Sequence, residues 1–146
     1  MKQNLIERQG YSERIERMFG KGMVVALTGQ RRVGKSCVMK RIYEKYSQDS
    51  HNNVIYIDME KTAFADITNY ENLEAYVAER LDSSKDNYLF IDEVQEIQNF
   101  EKAILSLQSD GSCQIMVTGS NAKMLSSELS TRLRGRYIGY HIHGLD

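Results

Sequence analysis

Cysteine is scarce in this chain. Only Cys37 and Cys113 occur among 146 residues, and they stand far apart in the sequence. A structural zinc site needs closely spaced ligands and a disulfide scaffold needs several cysteines, so the composition excludes both. We expect the two thiols to be reduced and structural.

Long apolar runs are also missing. The longest, such as residues 23–27, have about a quarter of the ~20 residues that a membrane-spanning helix requires. The N-terminal segment has neither the apolar stretch nor the small-residue cleavage site of a secretory signal. These two absences exclude a transmembrane protein and predict a cytoplasmic location.

Neither sign of charge dominates the composition. Lysine and arginine number 19 against 20 aspartates and glutamates, which gives a net charge of −1. The chain therefore has no overall attraction to nucleic acid or anionic lipid, and any such contact must be local. A content of 41% hydrophobic and 27% charged residues is typical of a soluble globular domain. The length fits a single domain.

Short apolar segments alternate with segments of helical periodicity. Strands are predicted over residues 23–28, 53–58, 88–92, 114–118 and 136–143. Helices are predicted over residues 11–19, 35–46, 69–81 with Asn69 or Thr68 as the cap, 99–107 with Asn99 as the cap, and 121–133. This succession predicts a parallel sheet with helices on both faces, and ligands beyond the carboxyl ends of the strands.

A phosphate-binding pattern follows the first predicted strand. Residues 29–36, Gly-Gln-Arg-Arg-Val-Gly-Lys-Ser, match G-x-x-x-x-G-K-[ST] and precede a predicted helix. Such glycines let several backbone N–H groups face one anion, and the helix N-terminus adds positive potential. The residues predicted to contact the nucleotide are Gly29, Gln30, Arg31, Arg32, Val33, Gly34, Lys35, Ser36 and Cys37.

Two members of this phosphate loop have distinct chemical roles. Lys35 is expected to lie between the β- and γ-phosphates, and the Ser36 hydroxyl is expected to bind Mg²⁺. The alternative is a tight glycine turn whose lysine is a solvated surface charge. For Arg31 and Arg32 the choice lies between phosphate contacts and exposed charges on the loop tip.

Two adjacent acids, Asp92 and Glu93, end the third predicted strand. At the sheet edge where the phosphate loop also lies, Asp92 would contact Mg²⁺ or its waters. Glu93 would polarise a water for in-line attack on the γ-phosphorus. Most such pairs elsewhere are merely solvated, so this prediction depends on the phosphate loop.

Two further features belong to the end of the chain. Ser120 follows the fourth predicted strand and is expected to hydrogen-bond the γ-phosphate or the attacking water, although it or Asn121 would also serve as a helix cap. A basic cluster of Arg132, Arg134 and Arg136 offers an arginine finger, acting within one copy or between copies. The same cluster would serve as a contact for nucleic acid phosphates or a solvated face.

These motifs give the chain a resemblance to predicted bacterial and archaeal ATPases of the AAA+ superfamily. In that family a P-loop core normally precedes winged-helix and nuclease-like domains. The resemblance rests on residues 27–36, on Phe-Ile-Asp-Glu-Val-Gln at 90–95, on Val-Thr-Gly-Ser-Asn at 117–121 and on Gly-Arg-Tyr at 135–137. It implies a three-layer α/β core whose mostly parallel five-stranded sheet has the order 5-1-4-3-2.

The resemblance also implies site roles. MgATP would be bound by Gly34, Lys35, Ser36, Asp92 and Glu93, with Ser36 and Asp92 on the metal. Ser120 matches the sensor position and Arg136 the arginine of the Gly-Arg-Tyr signature, so the predicted catalytic residues are Lys35, Glu93, Ser120 and Arg136. The family usually continues beyond the point where this chain ends, and we expect a fragment of a longer protein with its own oligomer or effector contacts.

The predicted function is therefore Mg²⁺-dependent binding and hydrolysis of ATP. Adenine is favoured because no guanine-reading motif is present. One alternative is an ATP-gated interaction module with little turnover. The other is a small-molecule kinase, in which Asp58 or Glu60 would hold the acceptor; the adjacent Asp92 and Glu93 favour water instead.

Overall fold

The computed structural model describes residues 12–29, 34–120 and 128–142. The strands are β1 (Val24–Thr28), β2 (Asn52–Asp58), β3 (Asp86–Asp92), β4 (Gln114–Gly119) and β5 (Tyr137–His141). The helices are α1 (residues 12–20), α2 (Lys35–Ser47), α3 (Tyr70–Arg80), α4 (Phe100–Asp110) and α5 (Glu128–Leu133). Short 3-10 turns occupy Thr62–Phe64 and Val94–Glu96.

The five strands form one parallel sheet. Their order is β2-β3-β4-β1-β5, which is the predicted order counted from the opposite edge. In this arrangement β1 lies between β4 and β5, with Val25 opposite both Met116 and Ile138. Because all the strands run the same way, the carboxyl ends of β1, β3 and β4 meet at one edge of the sheet.

Alternate residues of each strand point to opposite faces of the sheet, as the pleat requires. Val24 and Ala26 of β1 pack in a core that includes Leu73 of α3, Ile104 of α4 and Leu129 of α5. All five of these side chains are buried. Three helices cover this face, because the inner strands carry apolar side chains on both sides of the sheet and each side must be shielded from water.

The other face of the sheet is covered by α1 and α2. Val25 and Leu27 of β1 pack there with Phe19 of α1 and Met39 of α2. Aromatic rings extend this core towards β2 and β3; Phe19 and Phe90, for example, have centroids 5.4 Å apart. The molecule is thus a three-layer α/β fold, as predicted.

Helix ends follow the predictions unevenly. Asn69 caps α3 as predicted, since its side chain accepts a hydrogen bond from the Asn72 N–H at 2.9 Å. Asn99 occupies the predicted cap position before α4, and its carbonyl accepts a hydrogen bond from the Lys102 N–H at 3.0 Å. Asn99 adopts a left-handed backbone with φ 57°, and its side chain makes no capping bond. The start of the predicted helix over 121–133 lies outside the described residues.

Among the helices that the structure describes, none combines the length and the apolar character needed to cross a membrane.

Candidate active site

Three neighbouring strands end beside one another at the carboxyl edge of the sheet. The strand β1 leads into Gly29, β3 ends at Asp92 followed by Glu93, and β4 ends at Gly119 followed by Ser120. The sheet order places β4 between β1 and β3. The phosphate loop and the acidic pair therefore lie at the same edge of the sheet, one strand apart, although they are far apart in the sequence.

The described ends of the phosphate loop have the backbone geometry that glycine permits. Gly29 has φ 147° and Gly34 has φ 94°, values that side-chain-bearing residues rarely adopt. Gly34 occupies the position before α2, and its carbonyl accepts the first helical hydrogen bond from Val38 at 3.0 Å. The predicted contacts Gln30, Arg31, Arg32 and Val33 lie outside the described residues.

Lys35 and Glu93 form a buried ion pair at the centre of this edge. Lys35 Nζ lies 2.7 Å from Glu93 Oε2, and each side chain is 2% exposed. The alternative of a solvated lysine is therefore wrong. Removing two opposite charges from water is costly, and the pair is stable only because further hydrogen bonds satisfy it.

Two neutral side chains complete the shell around the Glu93 carboxylate. Its Oε1 accepts hydrogen bonds from Ser120 Oγ at 2.8 Å and from Gln95 Nε2 at 2.5 Å. Lys35 Nζ also approaches Ser120 Oγ at 3.5 Å. The structure thus brings together three of the predicted catalytic residues, Lys35, Glu93 and Ser120.

These contacts determine the charge state of Glu93. Burial raises the pKa of this carboxyl, but hydrogen bonds from Gln95, Lys35 and Ser120, together with the Lys35 charge, outweigh burial and lower the pKa below its ordinary value. The site therefore favours the carboxylate, which is the form that accepts a proton.

The backbone at Glu93 is held in an unusual conformation. Its φ of 58° and ψ of 57° lie in the left-handed region, which costs a non-glycine residue on the order of 1–3 kcal/mol. The buried hydroxyl of Thr118 stabilises this turn by accepting a hydrogen bond from the Glu93 N–H at 2.9 Å. The left-handed residue turns the chain sharply after β3 and directs the carboxylate towards Lys35.

Asp92 is held by two hydroxyls. Its Oδ1 accepts hydrogen bonds from Ser36 Oγ at 2.9 Å and from Thr118 Oγ1 at 2.5 Å. Because the Ser36 hydroxyl donates to the carboxylate, its lone pairs are left for a cation. Carboxylate and hydroxyl oxygens suit Mg²⁺, which binds few protein ligands and keeps several waters. These two residues therefore fit the metal that the sequence predicted.

Thr118 joins the two acids, a role that no motif of the sequence indicates. We expect Thr118→Val, which keeps the side-chain shape, to lower the free energy of unfolding by about 2 kcal/mol, because a buried carboxylate and a buried N–H each lose a partner. Thermal or urea denaturation would measure the change, with the exposed Thr62→Val as the control. Equal stability of the two variants would contradict this role.

The two cysteines differ in accessibility. Cys37 is exposed in the first turn of α2, next to Ser36, whereas Cys113 is buried and burial raises its pKa to about 12. A disulfide-exchange reagent is therefore expected to modify one thiol per folded chain rapidly and the second only after denaturation. Rapid modification of both thiols in the folded chain would be inconsistent with the buried position of Cys113.

Arg136 is not brought to the site. Its carbonyl accepts a hydrogen bond from the N–H of Val24 at 2.8 Å, which places it at the start of β1, whereas the phosphate loop follows the end of β1. The five residues of β1 separate these two ends by about 16 Å. Arg136 lines a groove of about 690 Å³ with Arg132, Arg134 and the C-terminal half of α4.

The acceptor residues of the kinase alternative lie at the end of β2. Asp58 is opposite Asp92 in the sheet register. Its carboxylate accepts a hydrogen bond from the Glu60 N–H at 3.0 Å, which closes a local turn. Asp58 is thus near the acidic pair, but the hydrogen bond that its carboxylate accepts from Glu60 stabilises the local turn.

A family model covers most of the chain, and two relatives match it in sequence. A family model described as an AAA domain matches residues 21–146. An uncharacterized protein of Haemophilus influenzae is 29% identical over 149 residues, covering 99% of this chain and 37% of that protein. The protein MJ1544 of Methanocaldococcus jannaschii, also uncharacterized, is 33% identical over 115 residues, covering 79% of this chain and 25% of that protein. The chain therefore spans well under half of either relative.

Solved structures share the fold at low sequence identity. Cdc6p of Pyrobaculum aerophilum superposes with a TM-score of 0.67 at 13% identity, over 91% of this chain and 45% of that one. PCH-2 of C. elegans gives 0.61 at 17% identity, over 96% and 43%. The RuvB Holliday junction branch migration motor of Thermotoga maritima gives 0.55 at 18% identity, over 100% and 45%. At such identities the likeness concerns the fold.

Proposed function

Because the chain belongs to the AAA domain family and has the fold of AAA+ P-loop ATPases, we propose that it binds ATP with Mg²⁺ and hydrolyses it. The observation that carries this proposal is the cluster of buried Lys35 and Glu93 with half-buried Ser120, beside the Ser36–Asp92 pair. A cation, a general base and a metal-binding pair within one sheet edge are the groups that phosphoryl transfer to water requires.

In this proposal each residue acts on a particular atom. Lys35 leaves Glu93 and contacts the β- and γ-phosphate oxygens, while Ser36 and Asp92 hold the metal. When bound there, Mg²⁺ supplies positive charge that offsets the charge of the phosphate oxygens. Glu93, released from Lys35, accepts a proton from the attacking water, and Ser120 keeps its hydrogen bond to the carboxylate.

Arg136 has a different place in the proposal. Arg136 lies at the amino end of β1, whereas the phosphate loop of its own chain follows the carboxyl end. We therefore propose that it assists hydrolysis only of the nucleotide bound to a second copy. This part of the function therefore depends on an assembly of copies, whereas nucleotide binding does not.

An ATP-gated switch is the second candidate, and one observation favours it. Each oxygen of the Glu93 carboxylate already accepts a hydrogen bond from a protein donor. Nucleotide binding must therefore rearrange this cluster before any water is activated, and such a rearrangement is what a switch requires.

Metal removal tests the proposed hydrolysis. We expect the chain to release phosphate from ATP in magnesium buffer and to lose this activity in excess EDTA, because Ser36 and Asp92 then have no cation to hold. A continuous phosphate-release assay measures the rate, and calorimetry with ATP and GTP measures base preference. Equal rates with and without EDTA would exclude a metal-dependent reaction. Binding without phosphate release in either buffer would favour the switch.

A further inference from the structure

Gln95 contacts the carboxylate of the proposed general base. It lies two residues after Glu93 on the 3-10 turn Val94–Glu96, and its Nε2 donates to Glu93 Oε1 at 2.5 Å. Its own Oε1 is buried and has no hydrogen-bond partner within residues 12–29, 34–120 and 128–142. A buried carbonyl without a partner is costly and therefore calls for an explanation.

The orientation of the Gln95 amide follows from its neighbour. A carboxylate only accepts hydrogen bonds, so the amide must present its NH₂ group to Glu93. The reversed amide would place two oxygens against each other. The unpartnered atom is therefore the carbonyl oxygen, an acceptor beside the carboxylate that is proposed to activate water.

We propose that Gln95 orients the attacking water together with Glu93. The inference rests on the proposed hydrolysis of ATP. A water molecule has two protons to donate, and the carboxylate of Glu93 and the carbonyl of Gln95 are two acceptors on the same turn. With both protons engaged, a lone pair of the water oxygen is directed away from the two acceptors and towards the γ-phosphorus.

The reaction balances with these groups. The water oxygen forms a bond to the γ-phosphorus, and the bond from that phosphorus to the bridging oxygen breaks. The electron pair of the broken bond stays on ADP. One proton of the water passes to the Glu93 carboxylate, and the other remains on the phosphate that is formed. Gln95 gains and loses no proton; it only fixes the direction of attack.

The cluster also shows how Glu93 stays in place once Lys35 turns to the phosphates. Lys35 is bonded to Oε2 of Glu93, whereas Gln95 and Ser120 are bonded to Oε1. Departure of the lysine therefore frees Oε2 for the water and leaves two donors on Oε1. Gln95 holds the base by its NH₂ group and the water by its carbonyl.

Two substitutions separate orientation from packing. Gln95→Met keeps the length and most of the volume of the side chain but has no amide, and Gln95→Ala removes both. We expect kcat to fall about 100-fold in each variant, with KM and calorimetric ATP affinity within about two-fold of the unsubstituted chain. The matched control is Gln98→Ala, an exposed glutamine three residues further on, which is expected to leave both constants unchanged.

The outcomes distinguish this inference from the proposal beneath it. If Gln95→Met retains full kcat while Gln95→Ala does not, the side chain only fills space and the inference is wrong. If both variants retain full kcat, the inference fails while hydrolysis stands. If the unsubstituted chain binds ATP but releases no phosphate, the proposed hydrolysis fails, and the inference with it.

Discussion

Replacing Lys35 by methionine is expected to abolish ATP binding and to lower the free energy of unfolding by about 3 kcal/mol. The loss of binding follows from removing the cation aimed at the β- and γ-phosphates. The loss of stability follows from leaving the Glu93 carboxylate buried without its charge partner, which is costly in pairs as enclosed as this one. Calorimetry with ATP and urea denaturation measure the two effects.

A second substitution separates these two consequences. Adding Glu93→Gln to Lys35→Met removes the uncompensated charge, so we expect most of the lost stability to return while ATP binding stays absent. Lys40→Met, at an exposed position of the same helix, is the matched control and is expected to change neither quantity. Nucleotide affinity within a few-fold of the unsubstituted chain would contradict the role of Lys35.

Replacing Glu93 alone by glutamine is expected to lower phosphate release by about 10²- to 10⁴-fold, the range typical of a lost general base. ATP affinity is expected to be at least as high as in the unsubstituted chain. In the unsubstituted chain, nucleotide must separate Lys35 from the Glu93 carboxylate before the lysine contacts phosphate. The neutral amide of the variant competes less strongly for the lysine, so binding should not be weakened. Phosphate release at saturating ATP and calorimetric binding measure the two quantities.

The control for this substitution is Glu96→Gln, which neutralises an exposed acid on the same turn. Turnover unchanged by Glu93→Gln at saturating ATP would show that this residue is not the base. If neither the unsubstituted chain nor the variant turns over, yet both bind ATP, the switch becomes the better description of the function.

Much of the fold could be predicted because its signals are local. Each buried strand is a short apolar run, and each helix has a 3.6-residue period, so the alternation of the two elements is visible in the sequence. The order of the strands came from the resemblance to a family, since no local pattern specifies which strands are neighbours. The cap position at Asn99 was also predictable, but the absence of a side-chain capping bond was not, because side-chain identity does not determine whether the backbone turns left-handed.

The site was predictable in composition but only partly in geometry. Glycines, lysine, serine and two acids in the right order indicate a phosphate site, and the structure brings Lys35, Ser36, Asp92 and Glu93 together. The ion pair of Lys35 with Glu93 could not be predicted, because the motifs indicate the roles of these residues only in the presence of ligand. Thr118 and Gln95 were missed for another reason: each is a common polar residue whose importance comes from the neighbour it contacts.

The distribution of the site over the chain has a consequence for folding kinetics. Lys35 contacts Glu93, which is 58 positions away in the sequence, and Ser120, which is 85 positions away. Contacts between such distant positions require closure of long loops before they give any stabilisation, and chains rich in them fold slowly. Competence to bind nucleotide should therefore arise late, when the central strands have joined, and not gradually as the helices form.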